Sequence, residues 1–469
     1  MRPLARLAQY CLLLSAAAFA PCRSQTPDYD VVVIGGGSAG THAATRLQQM
    51  GKSVLLIEKE DRLGRNVNTY KDAQTGATFD YGIVSLINIS ATVDFCSSLG
   101  VSLKKFNGQF VPNEKSVGAD FKQKTKAPTW PLASGDDVTA ALKAYQQVLE
   151  KYPYLNSGYH LPDEIPDEIL MPFGDFLEKH NLGAIAHLGW LVYGGMGNAL
   201  AQPTIYMAHY FNQLQVQARL EGLRVTEANN NVQSLFDAAQ KKLGDNAIVG
   251  AQETKVNRRA EGGVEVQVRT ASGSKTVKAR KLLIAAPPTM EILQSFLDLN
   301  PEETSLFSQF NSSYYWNAVV DNTGFPNDTG IYNSDAKAKF GIPPLPGMYN
   351  FEPTGVKDLH AAYGGSPSRL SQSEIEAQIT SSISGAQQAL GYPALQPKIV
   401  HSNNHSPSGL TVSVEAIKGG FYKRLNALQG QQNTFWTGAA WCCGSSSSIW
   451  NYTNYEILPP LIASLGQYT

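Results

Sequence analysis

Three glycines near the start of the sequence have the spacing of a dinucleotide-binding loop. Gly35, Gly37 and Gly40 form the pattern G-x-G-x-x-G directly after the apolar run 31–34. The first glycine permits a tight turn, the second lets the backbone approach a pyrophosphate, and the third lets a helix pack on the preceding strand. A helix is predicted over 39–50, so the N–H groups at its start face the phosphates. Ser38 and Ala39 belong to this predicted phosphate site.

A carboxylate follows at the distance expected for the ribose of the same nucleotide. The run 54–57 predicts a second buried strand, and Glu58 ends it 18 positions after Gly40. A carboxylate there accepts hydrogen bonds from ribose hydroxyls and repels a 2′-phosphate, which favours FAD or NAD over NADP. Lys59 is included in this predicted cofactor site. An ordinary glycine-rich turn does not require the strand, the helix and the acid at these distances.

Two further motifs follow Glu58. The run Arg62-Leu63-Gly64-Arg65-Asn66 precedes a strand that ends Asp80-Tyr81-Gly82. This order resembles the FAD-dependent amine oxidase superfamily, with its R-x-G-G-R-like turn and D-x-G strand. The resemblance implies that Gly64, Arg65 and Asn66 cross the FAD pyrophosphate near the flavin. Arg65 replaces the usual second glycine and Asn66 the usual arginine, so that arginine's phosphate contact is not implied.

Two later segments extend the resemblance. The strand 281–286, followed by Pro287-Pro288, resembles the segment that returns the chain to the flavin, and a backbone contact to adenine is implied near Glu253. The strand that enters the turn at Gly438 resembles the terminal motif beside the flavin O2 edge. Ala439 replaces the usual acid there. Trp450, in a predicted closing helix, is also expected to contact the cofactor or line the site.

The fold class that these motifs predict is α/β. It comprises a discontinuous, glutathione-reductase-like Rossmann-type FAD-binding domain and a mixed α/β substrate or cap domain. The predicted boundaries are a signal peptide at 1–24, FAD-binding segments at 28–102, 216–310 and 426–469, and substrate or cap regions at 103–215 and 311–425.

Within the superfamily, some features are similar to fungal secreted flavoproteins of the β-cyclopiazonate dehydrogenase type. They are the predicted signal peptide and the runs 172–176, 419–422 and 435–441. The resemblance implies an FAD-dependent oxidoreductase that dehydrogenates an apolar aromatic or nitrogenous small molecule, with ring closure, in a specialised-metabolite pathway. O2 is the expected electron acceptor.

Three alternatives stay open. The first is a secreted amine or amino-acid oxidase that produces peroxide, and the second is a redox-neutral isomerase that uses reduced flavin. The lysine usual in amine oxidases is absent from 314–317, which counts against simple amine oxidation. The third is a non-catalytic binding protein with a nucleotide fold, because the turn at Arg65-Asn66 and the position of Ala439 depart from the superfamily pattern.

The sequence does not identify a catalytic group, because a flavin acts as electron sink without a protein nucleophile. The candidates to line an apolar cavity are Tyr314, Tyr315, Trp316, Tyr193, Trp441 and Trp450, and core packing is the alternative for each. His401 is a candidate base, as is His405, and a solvated loop position is the alternative. The glycosylation sequon at Asn404 favours that alternative for His405.

The adjacent cysteines Cys442 and Cys443 allow several chemical states. Unmodified buried thiols, a strained vicinal disulfide and a covalent flavin tether are all compatible with the sequence. Five cysteines in total do not form the framework of a small disulfide-rich protein. No metal site is predicted.

Composition and the amino-terminal pattern limit the partners and the compartment. The 38 basic and 39 acidic residues nearly cancel without a dense basic block, so nucleic-acid binding has no support. Two early arginines, the apolar run 7–20 and small residues at 22–24 predict a cleaved signal peptide. No later window predicts a membrane span. A secreted or secretory-lumen location is expected, with sequons at Asn88, Asn311, Asn327, Asn404 and Asn451.

Overall fold

The computed structural model describes residues 27–259 and 263–466, so the predicted signal peptide lies outside the described residues. The strands are β1 Tyr29–Ile34, β2 Val54–Ile57, β3 Thr69–Lys71, β4 Thr78–Asp80, β5 Leu86–Ile87, β6 Leu103–Lys105, β7 Lys115–Asp120, β8 Thr125–Lys126, β9 Arg224–Glu227, β10 Ala247–Ile248, β11 Gln252–Arg259, β12 Gly263–Thr270, β13 Gly273–Ile284, β14 Asn311–Asp321, β15 Thr329–Asn333, β16 Gly347–Pro353, β17 Leu359–Ser366, β18 Lys398–Asn404, β19 Ser408–Thr411 and β20 Thr434–Trp436.

The helices are α1 Ser38–Gln49, α2 Ser90–Ser98, α3 Gly135–Leu149, α4 Asp167–Leu170, α5 Phe173–Lys179, α6 Ala186–Val192, α7 Thr204–Tyr210, α8 Gln213–Leu220, α9 Gln233–Leu243, α10 Met290–Leu293, α11 Pro301–Phe307, α12 Gln372–Leu390, α13 Val414–Lys418, α14 Phe421–Asn426, α15 Ser446–Tyr452 and α16 Leu458–Ser464. A π-helical turn, Thr453–Ile457, joins the last two.

The first sheet is built around β1. Strands β10, β2, β1, the end of β13 and β20 are parallel, and the first half of β13 continues antiparallel into β12 and β11. The run 31–34 is at most 1% exposed, because helix α1 covers one face of the sheet together with α9 and α15. Strands buried on both faces read as continuous apolar runs. The predicted Rossmann-type fold class is confirmed.

The second sheet separates two environments. Its order is β18-β14-β17-β16-β15-β7-β8, with β19 also paired to β14. Helix α12 packs on the outer face against β7, β8 and β16, and that face is apolar. The inner face is turned toward the first domain, since the Asn317 amide donates to the Tyr81 carbonyl over 2.6 Å. The second sheet therefore contacts the D-x-G segment through this face.

Capping residues set the boundaries of several helices. Ser134 caps α3 by accepting from the Asp137 N–H. Asn212 separates α7 from α8 and caps α8 through the Gln215 N–H. Asparagine is a strong N-cap and a poor helix-interior residue. No helix in the described part of the chain is long and apolar enough to cross a membrane.

Candidate functional site

The glycine turn after β1 leaves open space in front of a helix. Gly35 has a φ of 100°, and a Cβ at Gly40 would lie 1.9 Å from the Gly35 carbonyl oxygen. At Gly37 a Cβ would meet nothing within 4 Å, and this residue begins α1 without any side-chain cap. The unpaired N–H groups of a helix start attract anions. The turn therefore fits a pyrophosphate.

Glu58 is fixed at the end of β2. Its carboxylate is 4% exposed and accepts from the Gly36 N–H over 2.5 Å and the Glu60 N–H over 2.8 Å. Burial, with the charge of Glu58 nearby, raises the pKa of Glu253 to about 7. A cavity of about 480 Å³ adjoins this end of the sheet and is lined by Lys59 and Gln252 among others. This arrangement fits an adenosine, with its ribose at Glu58.

The turn predicted to cross the pyrophosphate contacts the glycine turn. The Gly64 N–H donates to the Gly36 carbonyl over 2.9 Å. Arg65 extends the other way and donates to the Ser406 carbonyl over 2.8 Å. The Oδ1 atom of Asn66 is buried with no hydrogen-bond partner among the described residues. An unpaired buried polar atom is costly, and it fits a site completed by a ligand.

The carboxy-terminal bend lies beside the same turn. The Thr437 N–H donates to the Ile284 carbonyl over 3.0 Å. Gly438 has a φ of 113°, and a Cβ there would lie 3.8 Å from the Ala285 carbonyl oxygen and 4.0 Å from the Ala39 Cβ. Parallel pairing thus brings the ends of β1, β13 and β20 to one edge, where α/β folds bind dinucleotides.

Trp450 supports the phosphate turn from behind. Its indole is fully buried, stacks on His42 and donates to the Ser38 carbonyl over 3.1 Å. The expected contact of this side chain with cofactor or substrate is wrong, because none of its surface reaches the cleft. A second bond, from the Ser38 hydroxyl to the Ser446 hydroxyl over 2.8 Å, joins α1 to α15.

Strand β14 places Tyr314 and Trp316 on the outer face of the second sheet. Trp316 is 1% exposed within the apolar core that includes α12 residues, and Tyr314 lies 5.9 Å from the Arg369 guanidinium on that side. This placement supports the core-packing alternative for Trp316, and the half-buried Tyr314 lies on the same face, since alternate strand residues face opposite sides. Tyr315 and Asn317 occupy the inner face, and the Oδ1 of Asn317 has no partner among the described residues.

The two histidines differ in environment. His401 is exposed on β18, which fits the solvated alternative. His405 is 8% exposed, so the solvated alternative is wrong for it. Its Nε2 accepts from the Asn68 amide over 2.7 Å, because the Asn68 oxygen already accepts from Arg62 over 2.8 Å.

Because Nε2 accepts this hydrogen bond, the proton of the neutral His405 ring is on Nδ1. Burial, with the charges of Arg65 and Arg62, lowers the pKa of His405 to about 3. The ring centroid lies 5.6 Å from that of Tyr315. His405 was a candidate base, but its burial and its partner were not predictable locally, since Asn68 is 337 positions away.

The adjacent cysteines are free thiols in this structure. Cys442 and Cys443 are both buried, and their sulfurs lie 3.8 Å apart. The hydrogen bond from Cys442 lowers the pKa of Cys443 and, with burial, the same contact raises the pKa of Cys442. The pair packs behind the Gly438 bend.

Comparison with known proteins agrees with this geometry. Residues 33–93 match the model of the NAD(P)-binding Rossmann-like domain. The FAD-dependent oxidoreductase oblC of Cochliobolus heterostrophus is 36% identical over 452 residues, which cover 93% of this chain and 92% of that protein. Beta-cyclopiazonate dehydrogenase of Aspergillus flavus is 31% identical over 438 residues, with 93% of each chain covered.

Solved structures share the fold at lower identity. The CLA-producing fatty acid isomerase from P. acnes gives a TM-score of 0.74 at 18% identity, over 93% of this chain and 99% of that one. Putrescine oxidase bound to putrescine gives a TM-score of 0.61 at 14% identity, over 92% of this chain and 99% of that one. This chain therefore shares its fold with both enzymes.

The chain belongs to the family of FAD-dependent oxidoreductases that includes beta-cyclopiazonate dehydrogenase. The predicted family, enzyme class and FAD cofactor are confirmed.

Proposed function

We propose that this enzyme dehydrogenates an apolar aromatic or nitrogenous small molecule held between the bound flavin and the inner face of the second sheet. The observation that carries the proposal is the composition of that face. Tyr315 and Asn317 on β14 stand opposite Gly365 and Tyr363 on β17, so aromatic rings and uncharged polar groups line it. Apolar walls with a few convergent polar groups are typical of small-molecule sites.

The proposal divides the chemistry between cofactor and chain. FAD, when bound, accepts the electrons removed from the substrate. Tyr315 offers a ring against which a planar substrate stacks. The absence of a side chain at Gly365 accommodates the Tyr349 hydroxyl, which lies 2.1 Å from where a Cβ would be. The N–H at Nδ1 of His405 has no acceptor among the described residues. It is therefore free to donate to a substrate or flavin oxygen, and Asn68 holds the ring in that orientation.

The absence of lysine from residues 311–321 favours this reaction over simple amine oxidation. The Aspergillus relative is named a dehydrogenase, which also supports dehydrogenation as the reaction of this enzyme. Ring closure would follow when a nucleophile within the substrate traps the oxidised centre. O2 as the acceptor that reoxidises the flavin is part of the proposal, as is a role in specialised metabolism.

The test is an anaerobic titration of the purified holoenzyme with indoles, phenols, polyenes and simple amines while the visible spectrum is recorded. We expect an aromatic or nitrogenous metabolite to bleach the flavin and simple amines to leave it oxidised. Bleaching by simple amines, with peroxide formed on readmitting air, would instead support the oxidase alternative. Turnover without bleaching would support the isomerase, and a protein that takes up no flavin would support the binding-protein alternative.

A secretory route for the protein is part of the same proposal. The predicted signal peptide supports it, and Asn88, Asn311, Asn327 and Asn404 lie on the surface. The fifth sequon differs, because its Thr453 is fully buried and bonded to Thr437 over 2.7 Å.

For protein secreted from a eukaryotic host, we expect glycans at some of the four exposed asparagines and none at Asn451. Peptide mapping by mass spectrometry after deglycosylation in heavy water is the measurement. An unglycosylated protein retained in the cytosol would overturn the secretory proposal.

A further inference from the structure

A cavity among the described residues opens beside the D-x-G strand. It has a volume of about 690 Å³ and is lined by Phe79, Phe106 and Phe110, with Lys104 and Lys105 at its exposed edge. A cavity of this size suits a drug-sized organic ligand. Its wall is aromatic and its rim is basic.

Two arginines lie together behind this wall without acidic partners. Arg224 stacks on Phe106, 4.7 Å from the ring centroid, and donates to the Ser85 hydroxyl over 3.0 Å. Arg219 donates to the backbone and side chain of Gln215, and its guanidinium lies 5.4 Å from the centroid of the Phe211 ring. Neither guanidinium forms an ion pair within residues 27–259 and 263–466. Burial, together with the charge of Arg219, lowers the pKa of Arg224 to about 10.

A buried phenol lies at the same place. Tyr193 is 7% exposed, and its ring centroid lies 5.6 Å from that of Phe211, the ring that Arg219 also contacts. Its hydroxyl lies near the Arg219 guanidinium but has no partner within 3.5 Å in good geometry among the described residues. Two half-buried like charges beside an unpaired hydroxyl are unfavourable until an anion joins them. The three groups can supply several donors to one oxyanion.

This cluster adjoins the flavin end of the cleft. The Gln215 amide donates to the Ser445 hydroxyl over 2.9 Å, and Ser447 accepts from the Ile87 N–H over 2.9 Å. Ser446, between them, bonds to Ser38 in the phosphate turn. An anion at the arginines would therefore belong to a molecule whose other end extends toward the flavin.

The carboxyl group of Asp80 also lines the cavity, but its hydrogen bonds are made to groups other than the two arginines. Asp80 accepts from the Thr69 hydroxyl and from the Val232 N–H over 3.0 Å, so it fixes the start of α9. Burial raises the pKa of Asp80 to about 7. It therefore offsets little of the positive charge on the opposite wall.

We infer that Arg219, Arg224 and Tyr193 form a subsite for an oxyanion on the substrate, either a carboxylate or an acidic enol, while the aromatic wall holds the apolar part. The inference deepens the proposed function and rests on it. It makes the substrate an anionic aromatic molecule rather than an amine cation. Lys104 and Lys105 then attract that anion from solvent.

The test compares a charged and a neutral ligand of the same shape in the holoenzyme. Indole-3-acetate and indole-3-acetamide are titrated while the flavin absorption band is followed. We expect the acetate to bind at least tenfold more tightly than the amide. Arg219→Gln and Arg224→Gln should each weaken acetate binding about tenfold or more and leave amide binding within twofold.

Arg424→Gln is the matched control, because Arg424 is exposed and pairs with Glu302 away from the cavity. It should change neither affinity. Flavin content and thermal unfolding check that each variant folds. Equal affinities for the two probes, no binding of either, or an equal loss of both in the arginine variants would overturn the inference. The titration needs no turnover, so failure to dehydrogenate any metabolite would count against the proposed function alone.

Discussion

Gly37 and Gly40 belong to the same glycine motif, but a side chain would meet different surroundings at the two positions. The Cβ of Gly37→Ala enters open space, whereas that of Gly40→Ala would meet the Gly35 carbonyl oxygen at 1.9 Å. We expect Gly37→Ala to fold with a melting temperature of the apoprotein close to wild type, and to bind FAD at least tenfold more weakly. Gly40→Ala should lower the melting temperature of the apoprotein as well. Calorimetry and FAD titration measure both, and equal behaviour of the two variants would contradict the assigned roles.

His405 gives a prediction about pH as well as rate. We expect His405→Gln to keep FAD and to slow anaerobic flavin reduction by about tenfold or more, because one fixed donor is lost. The pKa of about 3 means that His405 stays neutral from pH 5 to 9. The wild-type reduction rate should therefore show no transition near pH 6.5 from this group. The exposed His401→Gln is the control, and a transition that disappears only in His405→Gln would be contrary evidence.

Local spacing decides which single residues a sequence reveals. Glu58 was predictable because strand, turn, helix and acid follow one another within 30 positions, from 29 to 58. His405 was only a candidate, with a solvated loop position as the alternative, because its burial depends on Asn68 and Arg62 from the other end of the chain. The same holds for Arg219 and Arg224, whose lack of acidic partners is a property of the fold.

Helix α15 supports the phosphate turn through the Trp450 indole as well as through Ser446. Trp450→Phe removes the donor to the Ser38 carbonyl and preserves most of the ring packing, so we expect FAD affinity to fall several-fold and stability by about 1 kcal/mol. Trp436→Phe is the matched control, since that indole is also fully buried but its N–H has no partner among the described residues. FAD titration and denaturant unfolding compare them. A larger loss in Trp436→Phe would contradict this role.

Strand β14 explains why the candidate site was only partly predictable. The run Tyr314-Tyr315-Trp316 is aromatic at every position, so no alternation of polar and apolar residues indicates which side is buried. Pairing with β17 and the packing of α12 decide it. For the parallel strands of the first sheet, the sequence did not need to indicate which face is buried, because both faces are covered.

At the scale of the whole molecule, a buried acid links stability to pH. Burial, then the charge of Glu114, raises the pKa of Glu352 to about 8 from an ordinary 4.5. Its protonated form is stabilising below pH 4.5, and that contribution is lost as the pH rises toward 8. Glu352→Gln should therefore gain stability over wild type from pH 5 to pH 9, by up to about 4 kcal/mol.

Thermal unfolding of the holoenzyme across this pH range measures the difference. Glu150→Gln, an exposed carboxyl at the end of α3, should follow the wild-type curve. If Glu352→Gln also ran parallel to wild type, the carboxyl would be ionised in the folded protein throughout.

The pairing of β13 with β20 and the bond between Ser38 and Ser446, which are 408 positions apart, affect how the enzyme matures. A ribosome has made the glycine turn long before it makes the bend that completes the cleft. A nascent chain therefore has only half of the surface that holds the flavin, so cofactor capture must follow translation. The yield of active enzyme in an expression host should then track the supply of free FAD in the compartment where folding finishes.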